Sequence, residues 1–124
     1  MAMTAEIDFR AFASTVGTLI DYAPGDTIFR EGDEARYMYV VLHGSVEIAS
    51  HNKILETIHD GNALGILSLI DGSLRTVTAR AREATHLALI DRKKFRYMME
   101  EMPNFCWYVG DELAHRLRTT NSAL

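Results

Sequence analysis

The chain has little of what covalent or metal chemistry needs. It has one cysteine, Cys106, so no internal disulfide can form and no cysteine-rich zinc pattern exists. None of its five histidines, at 43, 51, 59, 86 and 115, stands four residues from another, and there is no His-x-His. A metal enzyme is therefore not expected. No nucleophile–base pair is visible either, so the expectation is a protein that is not an enzyme and holds no resident cofactor. No apolar run approaches the ~18 residues that a membrane span needs. Met1–Arg10 carries acids where a secretory signal would carry bases. A reduced, cytoplasmic protein without membrane contact is the expectation. Basic residues are also scarce: 13 Lys and Arg stand against 17 Asp and Glu, net −4, which argues against a general nucleic-acid binder. The scarcity is uneven, since residues 1–91 are net −6 and residues 92–124 net +2.

What is present is ordinary globular material. The 124 residues are 48% hydrophobic and 24% charged, read as a single domain over 1–124. A chain of this length buries roughly two-thirds of its unfolded surface and needs no staple. Residues 4–16 predict a short helix, with Thr4 as a candidate cap and a loose stripe through Phe9, Phe12, Ala13 and Val16. From Leu19 to Asp91 short apolar runs alternate with turn residues every eight to twelve positions, the pattern of an all-β sandwich or barrel. Strands are expected at 19–23, 27–30, 37–42, 45–49, 53–59, 75–81 and 86–90. In 37–42 both alternating faces are apolar, so both should be buried. Leu64–Ile70 is too apolar for an exposed loop and predicts a short buried helix. Asp91 is a candidate cap for a helix over 92–102, and Pro103 breaks that helix and starts the next.

Four segments resemble one known family, the cyclic-nucleotide-binding domain of catabolite-activator-type regulators, kinase regulatory subunits and gated channels. They are Tyr22–Glu34, Tyr37–Ile48, Gly61–Ala81 and Phe95–Asn121, so the resemblance covers nearly the whole chain. It implies an all-β core plus helices: a double-stranded β-helix, or jelly roll, of about eight strands. One N-terminal helix, a short cassette helix and two C-terminal helices would complete it. It also implies ligand sensing, with cyclic AMP or cyclic GMP as the candidate ligand.

A cyclic nucleotide offers a phosphate, a ribose hydroxyl and a base. The phosphate calls for charged donors plus backbone N–H groups at a helix start. Arg75 stands where the family keeps its phosphate-binding arginine, and Thr76 matches the family's small hydroxyl residue. Gly65 permits close approach, and the N–H groups of Ile66, Leu67 and Ser68 open the short helix. A solvated strand-end charge is the plain alternative for Arg75. Ile66 is the departure: binding members have glutamate there, accepting from the ribose 2′-hydroxyl. Its loss removes about 1.5–3 kcal/mol. Leu64 and Leu74 also replace the family's aromatic and proline. Beside Ile66 no other carboxylate stands in sequence, Asp71 being a turn former. The family's base-contacting hydroxyl pair corresponds to Thr120 and Asn121, which equally read as a fraying helix end.

The aromatics Tyr37, Tyr39, Phe95, Tyr97, Trp107 and Tyr108 read as core more readily than as base-stacking groups. Cys106 reads as a packing residue. Arg92, Lys93, Lys94 and Arg96 crowd a helix start against its dipole, as a partner site or a solvated face. Phe105, Val109, Leu113 and Leu117 form a stripe that either makes a homodimer seam or folds back on the barrel. No helix-turn-helix follows, so direct DNA binding is not expected. Two functions remain: a sensor of a small anionic ligand, with cyclic-nucleotide binding weakened or altered by Ile66, and a ligand-free interaction or dimerisation module that keeps only the fold.

Overall fold

The computed structural model describes residues 8–120, with the side chains of 8–118; the expected cap Thr4 and Asn121 lie outside the described residues. The first described helix is α1 (Arg10–Val16), and Asp8 Oδ1 accepts from the Arg10 N–H at its start at 3.0 Å. Five strands follow, β1 (Thr18–Tyr22), β2 (Thr27–Phe29), β3 (Tyr37–His43), β4 (Ser45–Ser50) and β5 (Lys53–His59). Then come β6 (Ala63–Leu64), α2 (Ile66–Asp71), β7 (Thr78–Ala81), β8 (Thr85–Asp91), α3 (Arg92–Glu101) and α4 (Pro103–Thr120). The strands form two four-stranded antiparallel sheets, β1-β8-β3-β6 and β2-β7-β4-β5. This is the expected eight-strand jelly roll with its four helices.

β3 organises the interior because both its faces are apolar. Tyr39 and Val41 point between the sheets, into a cluster with Phe29, Val46, Ile58 and Leu87. Met38, Val40 and Leu42 point the other way, into a cluster closed by Phe9, Phe95, Phe105 and Tyr108 from the helices. Successive side chains of a strand face opposite sides, so one strand can serve two cores. Burial of this kind contributes about 25 cal/mol per Å² of apolar surface.

Two expectations need correction. The strand over 75–81 starts only at Thr78. Arg75 instead bonds the turn before β3: its N–H donates to Asp33 O (2.9 Å), and its own carbonyl accepts from Gly32 N–H (2.8 Å). The apolar run 64–70 divides into β6 and α2, and α2 is only half-buried, with Leu67 and Ile70 exposed. All four basic residues at the start of α3 are exposed, as a solvated face, and three of them also bond within the molecule. Arg92 donates to Leu69 O (3.2 Å) and Ala35 O (2.8 Å), Lys94 to Val16 O (2.5 Å), and Arg96 to Glu100 Oε2 (3.3 Å). The cap at Asp91 is as read: its Oδ1 accepts from Lys94 N–H at 2.8 Å.

The α4 stripe folds back on the barrel for most of its length. Phe105 and Val109 are core residues and Leu113 packs against them, while Leu117 is exposed. Polar contacts fasten the same helix. Glu112, 7% exposed, accepts from Ala63 N–H (2.7 Å) and Asn62 Nδ2 (3.0 Å). Tyr108 donates to Gly61 O at 2.8 Å, and Arg116 donates to Ala63 O. All four bonds end on residues 61–63, between β5 and the first residue of β6, and hold α4 against them. Glu112→Ala leaves the buried Ala63 N–H without an acceptor and is expected to lower stability by about 1–3 kcal/mol, measured by urea denaturation.

Candidate functional site

The site is built around a glycine and an arginine that need each other. Gly65 adopts φ +80°, a left-handed conformation, as it leads into α2. A Cβ there would stand 2.9 Å from Arg75 Nη1, so any side chain would collide with the guanidinium. Arg75 is 4% exposed and turned inward. Nη1 donates to Gly65 O (2.8 Å) and Nη2 to Tyr37 O (2.5 Å). The guanidinium carbon lies 4.3 Å from the centroid of the Phe29 ring and 5.9 Å from that of Tyr39. Such cation–π contact contributes about 0.5–2 kcal/mol. Nε is buried and has no acceptor among the described residues. A buried donor without a partner is costly in a finished core and is suited to an anion that arrives later.

Beside this arginine lies a cavity of about 460 Å³, within the usual range for small-molecule sites. Phe29, Ile48, Ile58 and Leu64 line it from the barrel, and Leu113 and Leu117 from α4. Gly65, Ile66, Leu67, Ser68, Arg75 and Thr76 all line it, so every residue expected at the phosphate end comes together. No side chain caps the start of α2. Ser68 is buried, with its hydroxyl donating to Leu74 O at 3.3 Å, and Thr76 is exposed at the cavity wall. Ile66 is 2% exposed and belongs to the core cluster that holds Met38 and Leu69. Of the base-end pair, Thr120 lies in α4 without a described side chain and Asn121 lies outside the described residues.

Two cavity-lining charges escaped the sequence reading, Glu56 and Arg116. Arg116 Nε lies 3.5 Å from Glu56 Oε2, with side chains 21% and 32% exposed. A carboxylate therefore does reach this cavity, from β5 and not from the cassette. The signal was present: Ile54, Glu56 and Ile58 alternate on one face of the strand, and a charge at an inward position of such a face calls for a reason.

Residues 19–102 match the family model described as the cyclic nucleotide-binding domain. The chain belongs to the cyclic nucleotide-binding domain family. Among curated relatives it is similar to the cAMP-activated global transcriptional regulator CRP of Salmonella typhimurium, 28% identical over 106 residues. That match takes in 81% of this chain and 50% of the regulator. The lysophospholipase nte1 of Neurospora crassa is 30% identical over 99 residues, 76% of this chain and 6% of that protein. The chain thus spans about half or less of the curated relatives it matches. Among solved structures, Thermus thermophilus Catabolite Activator Protein superposes with a TM-score of 0.78 at 25% identity, over 94% of this chain and 57% of that one. Domains of this family thus occur in a regulator and, in nte1, in a much longer protein named as an enzyme.

The electrostatics of this cyclic nucleotide-binding domain follow from burial. Burial pulls the Arg75 guanidinium below its usual range, while nearby Tyr39 and Asp33 support the charge. Burial also pushes the Tyr39 phenol up from 10 to about 12, opposed by the charge of Arg75. Tyr108 is pushed up as well, by burial and then by Glu112. Among the described residues no group of three or more His, Cys, Asp or Glu is placed to hold a metal ion. None of their helices is long and apolar enough to cross a membrane. A phenol whose pKa is raised on folding stabilises the fold fully below its unfolded value, and that contribution is lost as pH rises through the folded one. Stability is therefore expected to fall between pH 10 and about 12 as Tyr39 ionises, measured as the urea midpoint across that range.

Proposed function

We propose that this domain is a non-enzymatic sensor that takes cyclic AMP or cyclic GMP in the cavity beside Arg75 and signals occupancy through α4. The observation that carries this reading is the inward, buried guanidinium of Arg75, a residue of the cavity lining whose Nε has no partner among the described residues. The phosphate would meet that guanidinium, the N–H groups of Ile66, Leu67 and Ser68, and the Thr76 hydroxyl. Thr120 and Asn121 are proposed to approach the base. Ile66 gives the ribose 2′-hydroxyl no acceptor, so binding is proposed to be weaker than in family members with glutamate there.

Bonds from Glu112, Tyr108 and Arg116 fasten α4 to Gly61, Asn62 and Ala63, and Leu113 and Leu117 of the same helix line the cavity. A ligand pressing on those leucines shifts α4 together with whatever it touches. Trp107 and Leu117 remain 51% and 56% exposed along it, and a second copy of the chain is the partner proposed for that face. Action inside the cytoplasm by binding alone, without direct DNA contact, completes the reading. The rival is a ligand-free interaction module.

Titration calorimetry separates the two. The wild type is expected to bind at least one of the two nucleotides, and Arg75→Ala is expected to weaken it by tenfold or more, the equivalent of about 1.4 kcal/mol or above. Absence of heat with either nucleotide at millimolar concentration would favour the ligand-free module. Ile66→Glu provides a second check. It places a carboxylate at a core position and is expected to cost about 3–5 kcal/mol in the free protein. Saturating nucleotide should restore part of the lost melting temperature, since the 2′-hydroxyl then supplies a hydrogen bond.

A further inference from the structure

A sheet ends in strands whose outer backbone groups are unpaired, and proteins guard such edges with short length, bulges, lysine or inward charges. Four strands end the two sheets of this domain: β1, β6, β2 and β5. Three of them are guarded. β6 has two residues. β2 has three, and its register with β7 shifts between Thr27 and Phe29. The register of β5 with β4 shifts between Ile48 and Ala49, and β5 carries Lys53 and the cavity-lining Glu56. β1 has none of these devices. It runs for five residues in unbroken register with β8, without lysine, arginine or proline. Leu19 and Ile20 stand 47% and 37% exposed on it. Outside the β8 ladder, no backbone group of residues 18–22 bonds to any described residue.

We infer that the free edge of β1 is a docking site for an extended segment of a partner protein, which adds as a fifth strand to the sheet β1-β8-β3-β6 and sets a basic residue opposite Asp21. The added strand runs antiparallel, as every pairing within this sheet does. In such an addition main-chain hydrogen bonds supply affinity and alternate side chains supply selectivity. Directly paired residues share a face, so Leu19 and Asp21 lie on the face of Ala88 and His86, and Ile20 lies on the other with Leu87. His86 Nδ1 bonds Asp21 Oδ1. The Asp21 side chain is nonetheless 84% exposed, and its Oδ2 has no partner among the described residues. A lysine or arginine of the added strand meets that oxygen, and β-branched residues beside it meet Ile20 and Leu19.

Asp21 also decides between a partner and a second copy of the chain. Two copies of β1 paired antiparallel about a two-fold axis at Ile20 would set each Asp21 against Leu19 of the other copy. Paired in parallel they would set Asp21 beside Asp21. The first arrangement takes a carboxylate out of water without a cation, and the second opposes like charges, so β1 disfavours its own copy. Charge complementarity favours the basic segment more widely. Residues 1–91, which include β1, are net −6, and a field of one sign draws in a partner of the other. The edge is five residues long, about 17 Å, which is the reach of a short linear segment.

The test is an NMR titration of the whole chain with the capped peptide Thr-Lys-Ile-Val-Thr, in which antiparallel pairing sets lysine against Asp21. Millimolar peptide is expected to shift the amide signals of residues 18–22 and to slow their hydrogen exchange. A peptide with glutamate in place of lysine is expected to bind more weakly by about threefold or more. Asp21→Lys is expected to invert that preference, because the opposite charge then belongs to the glutamate peptide. Both peptides are compared on the unaltered chain as well, so an Asp21→Lys variant that fails to fold does not remove the test. Shifts confined to residues outside β1 and β8, no shift up to the solubility of the peptide, or equal affinity for both peptides overturns the inference. An unchanged preference for the lysine peptide in folded Asp21→Lys overturns it too. Signals of residues 18–22 that move with protein concentration in the absence of peptide assign the edge to a second copy and likewise overturn it.

Discussion

The buried guanidinium of Arg75 is the constraint on which the rest of the site depends. One terminal nitrogen bonds Gly65 O at the start of α2 and the other bonds Tyr37 O at the start of β3, while its plane lies against Phe29 of β2. Its backbone is bonded to Gly32 and Asp33. A single residue thus joins the cassette, both sheets and, through its backbone, the turn between β2 and β3. Such a hub is stable only if the charge is well surrounded, because an ion taken out of water costs several kcal/mol unless dipoles replace the lost hydration. Two carbonyls and two aromatic faces replace much of it, and Nε remains to be satisfied. The same burial that makes the residue structural underlies the proposed anion site.

A second constraint acts on α4. Glu112 is buried, and its carboxylate is satisfied by the Ala63 N–H and the Asn62 amide. One turn later Arg116 reaches both Glu112 and Glu56, so the helix is tied at once to the β5–β6 connection and to the cavity wall. Binding shifts an equilibrium only by its differential affinity for two arrangements. Contacts that bridge cavity and helix are the place where such a difference can arise.

Much of the fold was legible because its signals are local. The two apolar faces of 37–42 announced a strand buried on both sides, and Asp91 and Pro103 marked the helix boundaries where they occur. β6 escaped because two residues carry no period. The strand over 75–81 was read too long because Arg75 makes its backbone bonds to a turn about 42 residues earlier, at Gly32 and Asp33, a pairing without local trace. Glu56 escaped for a related reason: alternation showed its face, but what lies opposite that face belongs to α4, 60 residues on.

The sequence alone determined an all-β region and a helical C-terminal segment, since alternation, turns and caps are properties of neighbouring residues, while the jelly roll and the cassette came from the family resemblance. Tertiary structure decided which way the charges point. Arg75 faces inward because Gly65 has no Cβ to obstruct it, Ile66 is drawn into the core by the apolar cluster behind it, and Glu56 meets Arg116 only when the last helix lies across the barrel. These choices depend on what else occupies the space around a side chain, and a linear pattern does not contain that information.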